Sequence, residues 1–436
     1  MENSASREIQ LEITGSASIR TSTECRIYKV PYHLRKWNEE AYTPQVISIG
    51  PIHHGNNKFQ TMEKHKERCF ESLKQRTGIT LEDFERDIRP MENSIRQCYV
   101  ETVVDLGSDD FVKMIMLDVS FILELFLKFN SESWPREYPL LVEAWLLDTV
   151  FRDLLLLENQ LPFFVIEKLF NLAFPYGSNN RSLIQLTFDF FKTLNIYDRT
   201  PISIANEEIK HFTDLLRAFQ LPESSKLPYR GPDTTFPKYS ATQLHEAGVK
   251  FTKAPTKSQL NEAGAKFTKA RTTSVLDLDF KNGELEIPTL TFEDGMEDLV
   301  RNIMALEQCN IRLDTYFTDF YIILDHLIDT TKDVELLIKK GIIVNCLGDS
   351  ETVTSMINKL NRGIIRRGMN ANYFNLCEKL NAFAEGFWNR NKAKLIRQYF
   401  NSPWKGTATI AAFIILALTL LQTIFTIKSS IGPKRV

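Results

Sequence analysis

The 436 residues carry no excess charge of either sign: Lys plus Arg number 53 against 55 for Asp plus Glu. A near-zero balance supplies no global field to gather nucleic acid or an acidic substrate, so no nucleic acid is expected among the partners. Metal-ligand spacing is missing too. The six cysteines (Cys25, Cys69, Cys98, Cys309, Cys346 and Cys377) stand far apart without a C-x-x-C pair, and no histidine set completes a zinc spacing. That pattern reads as reduced thiols rather than a disulfide framework. The chain also lacks a G-x-G-x-x-G turn, a G-K-[ST] phosphate loop and a G-x-S-x-G elbow. No catalytic, cofactor-binding or metal-ligating residue is assigned, and no cofactor is expected. The opening residues MENSASREIQLEITGSASIRTST have no apolar run. They do not read as a secretory signal peptide, and 1–24 is expected to be a disordered tail.

What the chain does have is one long uncharged apolar run, 408–427, reading ATIAAFIILALTLLQTIFTI. Twenty helical residues reach about 30 Å, the thickness of a bilayer's hydrocarbon core. Trp404 and Lys428 flank it as interfacial residues do. The run is expected to be a single transmembrane helix, with membrane lipid as its partner and a short tail at 428–436. Arg390, Lys392, Lys394, Arg397 and Lys405 precede it, against Lys428, Lys434 and Arg435 after it. Basic residues stay on the cytoplasmic side, which predicts a single-pass, C-terminally anchored protein of the plasma membrane or an endomembrane, its bulk cytosolic. The basic stretch before the span suits anionic headgroups. Small residues Ala408 and Ala412 permit helix pairing and leave a homo-oligomer open.

Between these ends, 25–400 reads as one mainly α, compact multi-helix domain with a small antiparallel β segment. TMEKHKERCFESLKQ, FVKMIMLDVSFILELFLKF, LLVEAWLLDTVFRDLLLLENQ and PFFVIEKLFNLAF have helical periodicity, the middle two apolar nearly all round. Pro162 is expected to end the third helix. A helix is also expected through HLRKWNEEAY after Pro31, and an extended piece at QVISIG. Residues 222–274 read as an exposed connector followed by a duplicated segment.

The duplication is LHEAGVKFTKA repeated as LNEAGAKFTKA, sixteen residues apart. Two short copies are too few for a solenoid, so one copy is expected to be used and the other to lie in a loop. Each copy reads as a helical turn stopped by Gly248 or Gly264, then a brief strand facing Phe251 or Phe267 inward. The partner of that strand is a hairpin within 275–292, where Asn282-Gly283 is a strong two-residue turn signal. It predicts Phe280 opposite Leu285 and Leu278 opposite Ile287 on the buried face. Asp279 then faces Glu286 on the other, beside the strand's lysines, and the three strands form an antiparallel sheet.

Two constellations invite a chemical reading. His53-His54 with His65 and Glu63 suggests a metal or acid–base site, but adjacent side chains diverge on any regular element and no ligand spacing supports them. Asp118, Glu124 and Glu158 lie in apolar stretches. Asp118 and Glu124 are six residues apart, about 600° around a helix, so they share no face. Glu124 is expected to pair with Lys128 at the surface, and Glu158 to serve a helix end.

RIYKVPYHLRKWNEEAYTPQVISIGPIHHGNNKFQTMEKHK, LDVSFILELFL, LLLLENQLPFFVIEKLF, DTTKDVELLIKKGIIVNCLGD and the terminal SPW with its LLQT tail together resemble a plant family, "domain of unknown function 247". The resemblance runs from Cys25 to Ile427. Val119-Ser120 stands where that family often has Gly-Cys, which speaks against a functional thiol there, and the A-G-V-K-F block is doubled. The resemblance implies a plant protein with one membrane span and no established enzymatic activity; some grass relatives act in pollen self-incompatibility. The reading is a membrane-anchored protein-binding, recognition or signalling component, not an enzyme, with a protein partner. The alternative is an enzyme working through the His53–His54 loop.

Overall fold

Sixteen of the 22 residues of the Ser108–Phe129 helix are buried, leaving it no polar face to show to water. Such a helix must be enclosed, and the helices Gln60–Thr77, Leu81–Ile88, Phe163–Ala173 and Leu183–Phe190 do so. These facts come from a computed structural model that describes residues 25–100, 106–131, 143–175, 181–195, 199–204, 208–221, 227–254, 276–386, 389, 391 and 403–431, with side chains of the last helix at 407–427. The expected tail at 1–24 and the second copy of the duplication lie outside the described residues; of the expected terminal tail at 428–436 only 428–431 is described, and it continues the last helix, Pro403–Ile431.

A second helical group, Met296–Cys309, Tyr316–Leu327, Thr331–Lys339, Ser350–Leu360 and Ala371–Glu385, shares the same hydrophobic core. Met296–Cys309 joins the two groups, packing on Phe212–Gln220 from the first and on Tyr316–Leu327 from the second. The chain is therefore mostly helical, as its periodicity predicts.

Among the described residues, seven short strands decorate this bundle. β1 (Arg230–Gly231) pairs antiparallel with β7 (Met369–Asn370), and β5 (Leu290–Phe292) pairs parallel with β6 (Ile343–Asn345). β3 (Asp279–Lys281) and β4 (Glu284–Ile287) make the expected hairpin, with Phe280 opposite Leu285 and Asp279 opposite Glu286. Asn282 and Gly283 both take positive φ, 52° and 79°, as a type I′ turn demands. Lys281 Nζ lies 2.6 Å from Asp279 Oδ2, so the hairpin supplies its own cation to the acidic pair. Leu278 falls outside the ladder, which ends at Asp279.

The first copy of the duplication folds as read. Ser240 and Gln243 form a capping box for the Ala241–Ala247 helix, and Gly248 at φ 106° ends it. β2 (Lys250–Lys253) follows, with Phe251 buried and Lys250 opposite Glu284. Its direction differs from expectation: β2 runs parallel to β4, so the sheet order β2-β4-β3 is mixed. A long connection, residues 254–278, frees β2 from the antiparallel sense that a tight turn imposes.

Two other elements depart from their patterns. HLRKWNEEAY breaks into the short helix Tyr32–Arg35 and a turn at Glu40–Tyr42. QVISIG is not a strand. The third helix, Ala144–Asp153, stops well before Pro162. Asn159 Nδ2 donates to Asp153 O at 2.9 Å, and Gln160 Nε2 donates to Leu154 O and Leu156 O at 2.9 and 2.8 Å. Those side-chain amides satisfy carbonyls that a longer helix would have used itself. Leu154 to Leu157 are all buried in the turns that result.

Candidate functional site

The histidine loop and the ENQ turn are far apart in sequence and face each other in space. Asp153 receives the backbone N–H groups of Gln45, Val46 and Ile47 at 2.7–2.8 Å. Burial of that carboxyl outweighs these three bonds and pushes its pKa up to about 6. Asn159 accepts from Ile49 N at 2.6 Å and donates to Ile47 O at 3.1 Å, which copies one rung of a strand ladder. QVISIG thus finds its backbone partners in side chains rather than in a sheet.

Gly50 lies at the closest approach. Its N–H donates to Asp118 Oδ2 at 2.7 Å, and a Cβ there would meet Gln160 O at 2.5 Å. The other Asp118 oxygen lies 2.6 Å from Lys66 Nζ, an ammonium that also donates to Ser48 O at 2.5 Å and Glu63 at 2.6 Å. Burial pulls the Lys66 pKa down, but Asp118 and Glu63 together raise it above the usual lysine range, so the ammonium stays charged.

Glu158 closes the clamp. Its Oε1 accepts from Val30 N at 2.8 Å and Arg35 Nη1 at 2.5 Å, while His53 Nε2 lies 2.9 Å from Oε2. Burial alone would raise its pKa; the bonds from His53 and Arg35 outweigh burial and hold it below the usual glutamate range. Leu157 N donates to Asn302 Oδ1 at 2.8 Å, and Asn302 Nδ2 donates to Ala41 O at 2.7 Å, tying the turn to the second helical group.

The sequence-level candidates are thereby placed. His53 meets Glu158, not Glu63, and Glu63 is taken by Lys66. Asp118 and Glu124 both reach the Gln60–Thr77 helix, Asp118 through Lys66 and Glu124 through Ser72 and Arg76. Glu124 does pair with Lys128 at 2.9 Å, but both are buried, because no face of their helix is left to solvent. Ser120, where the resemblance suggests cysteine, donates to Met116 O at 2.7 Å inside the helix. Among the described residues no group of His, Cys, Asp and Glu has a metal-binding arrangement. Three members of the clamp escape a sequence reading: Lys66, Arg35 and Asp153. Lys66 left a trace, since it shares one helical stripe with Met62, Cys69, Phe70 and Leu73, all buried.

A cleft of about 750 Å³ opens beside the clamp, lined by Arg26, Tyr28, Lys210, His211, Arg217 and Arg312 among others. Arg217 is not available to a ligand, for its Nε donates to the buried Glu307 at 2.8 Å. His211 caps the Phe212–Gln220 helix, accepting from Asp214 N through Nδ1 at 3.3 Å. Burial lowers its pKa to about 4, against the raising influence of Asp214 and the Arg26 backbone. A depressed pKa contributes stability above the unfolded value of 6.5, lost as pH falls toward 4. Wild type should therefore lose about 2 kcal/mol more than His211→Asn between pH 7 and pH 5. Denaturant titrations of the detergent-solubilised chain at the two pH values measure this, and parallel losses would show that His211 is solvated. Asp153 and Asp298, raised by burial to about 6, and Asp319, raised to about 7, stabilise as pH falls in the same window, so only the difference isolates His211.

The clamp unites the stretches that carry the sequence resemblance, and comparison with known proteins agrees. A family model described as "plant protein of unknown function", DUF247, matches residues 27–418. The UPF0481 protein At3g47200 of Arabidopsis thaliana is 28% identical over 438 aligned positions, covering 94% of this chain and 88% of the relative. The putative UPF0481 protein At3g02645 of the same plant is 23% identical, covering 93% and 90%. No solved structure matches the chain. The chain belongs to the DUF247 family of plant proteins of unknown function.

Proposed function

We propose that this chain is a membrane-anchored recognition or signalling protein, its helical domain cytosolic and its partner a protein. The observation that carries the reading is the helix at Thr407–Ile427: 21 residues with a mean hydropathy of 2.4, none of them buried against the rest of the chain. The other long apolar helix, Ser108–Phe129, is enclosed by its neighbours; an exposed run of this length calls for an apolar phase of its own. A non-catalytic role is supported by the employment of the charged groups. Glu158, Asp118, Lys66 and Asp153 hold backbone segments together, and their polar atoms are turned inward.

A second reading, an enzyme using the His53–His54 loop, has one observation in its favour: the His53–Glu158 contact resembles the pairing that orients a catalytic imidazole. Arg35 and the Val30 N–H already hold that carboxylate, and the His53 side chain is only 13% exposed. The recognition reading accounts for more of the geometry.

Fractionation of plant cells tests the anchor. The full chain should remain in the membrane pellet through alkaline carbonate extraction, and a chain ending before Trp404 should be soluble. Release of the full chain by carbonate would remove the basis of the reading.

A further inference from the structure

Three segments that meet on one face contain no acidic residue: 26–38, 308–313 and 359–371. Together they hold nine Lys and Arg. Their contiguity is shown by contacts. Gly363 sits against the His33 carbonyl and the Trp37 indole. Ile365 N donates to Gln308 Oε1 at 2.8 Å, and Arg367 donates to Gln308 O. Ile364 packs on the small apolar cluster containing Val30, Leu34 and Leu306, with Cys309 and Leu313 beside it.

The exposed chemistry of this face is unusual. Trp37 is flanked by two cations, Lys36 Nζ at 4.9 Å and the Arg362 guanidinium at 5.0 Å from its ring. Tyr32, Ile311 and Ile365 are 79%, 81% and 58% exposed. Arg366 lies over the Phe236 ring at 4.5 Å. Carboxylates do border this face: Glu39 and the buried Glu158 meet Arg35, Glu297 accepts from Asn38 at 2.8 Å, and Asp325 interacts with Arg366. Cations interleaved with exposed Trp, Tyr and Ile are what a headgroup layer accommodates: the charges meet lipid phosphates and the apolar tips enter the interface.

We propose that this face docks on anionic phospholipid headgroups of the bilayer that holds the chain's own C-terminal helix, an inference that rests on the membrane-anchored reading. Connection length permits it. Seventeen residues, 386–402, separate the Ala371–Glu385 helix from Pro403–Ile431, and such a segment can span up to about 60 Å. The bilayer is favoured over an acidic protein because the anchor keeps it at high local concentration. Docking would hold the domain in one orientation and leave the opposite surface to its protein partner.

The test uses the full chain in nanodiscs of phosphatidylcholine alone or mixed with phosphatidylserine. Amide exchange is followed in 26–38, 308–313 and 359–371, with the core helix 108–129 as a folding control. Exchange in the three segments should slow on the order of tenfold in the anionic discs only. High salt, or the combined substitutions Lys36→Glu, Arg362→Glu and Arg366→Glu, should abolish the effect while the control stays protected. If the chain enters both discs and the three segments exchange alike, headgroup docking is overturned, and the face is left to an acidic protein. If the chain enters neither disc, the anchor reading fails and this inference with it.

Discussion

Replacing Glu158 by alanine is expected to destabilise the detergent-solubilised chain by about 3 kcal/mol or more, the cost of stripping one partner from a buried ion pair. The substitution leaves the Arg35 guanidinium, the His53 ring and the Val30 N–H facing a space that held both carboxylate oxygens. Arg35 is 16% exposed at its side chain and retains Thr43 as a partner, so water recovers part of the loss. The expected order of damage is informative. Glu158→Gln keeps an acceptor for Val30 and should cost less than alanine, and pairing it with Arg35→Met should cost less again than the sum of the two. Denaturant midpoints of wild type, the three single variants and the double variant measure this. A loss below about 1 kcal/mol for Glu158→Ala would mean that the clamp is solvated and holds little.

Gly50→Ala should be of similar severity for a different reason. Gly50 adopts φ +73°, where a Cβ is strained by about 1–2 kcal/mol. That Cβ would also meet Gln160 O at 2.5 Å and Tyr99 Oη at 3.0 Å, two atoms already joined by a 2.9 Å hydrogen bond. Forcing them apart adds about 1–3 kcal/mol, the usual cost of overpacking. Gly55 and Gly78 supply controls, since each has a positive φ (79° and 74°) but no atom within 4 Å of the added Cβ. Alanine at either should cost only the backbone strain. Equal losses at all three positions in thermal melts would contradict a tight approach at Gly50.

Both predictions fall on an interface that the sequence shows only in halves. The helices at 60–77, 108–129 and 163–173 are legible because apolar residues recur at three- and four-residue intervals. Asn282-Gly283 announces its hairpin because few other pairs accept two positive φ values. The Leu154–Gln160 turn is not legible. Four consecutive leucines buried on all sides have no period, and the amides that end the helix look like ordinary polar residues until their carbonyl partners are known. The direction of β2 is hidden for a related reason, since the long connection after it fixes neither sense. His53 and Glu158 were each conspicuous alone, but their pairing spans 105 positions of chain. Sequence spacing carries no information about such a contact. Lys66 does leave a mark in the sequence: a charged residue on an otherwise apolar stripe signals a buried partner.

The histidine loop thus changes meaning between sequence and structure. Alone it suggests chemistry; in place it is one side of a polar seam that fastens the N-terminal segment to the bundle. On the proposed reading the surface and the C-terminal apolar helix carry function, and the side of the membrane on which the domain would stand decides which partners it can meet. The sequence supplies its own reporter, the sequon Asn180-Arg181-Ser182, of which Asn180 lies outside the described residues. Intact membranes from plant cells expressing the full chain can be treated with protease, and the protein tested for a mobility shift with a glycosidase. The account predicts a protease-sensitive, unglycosylated domain; a protected domain carrying a glycan at Asn180 would contradict it.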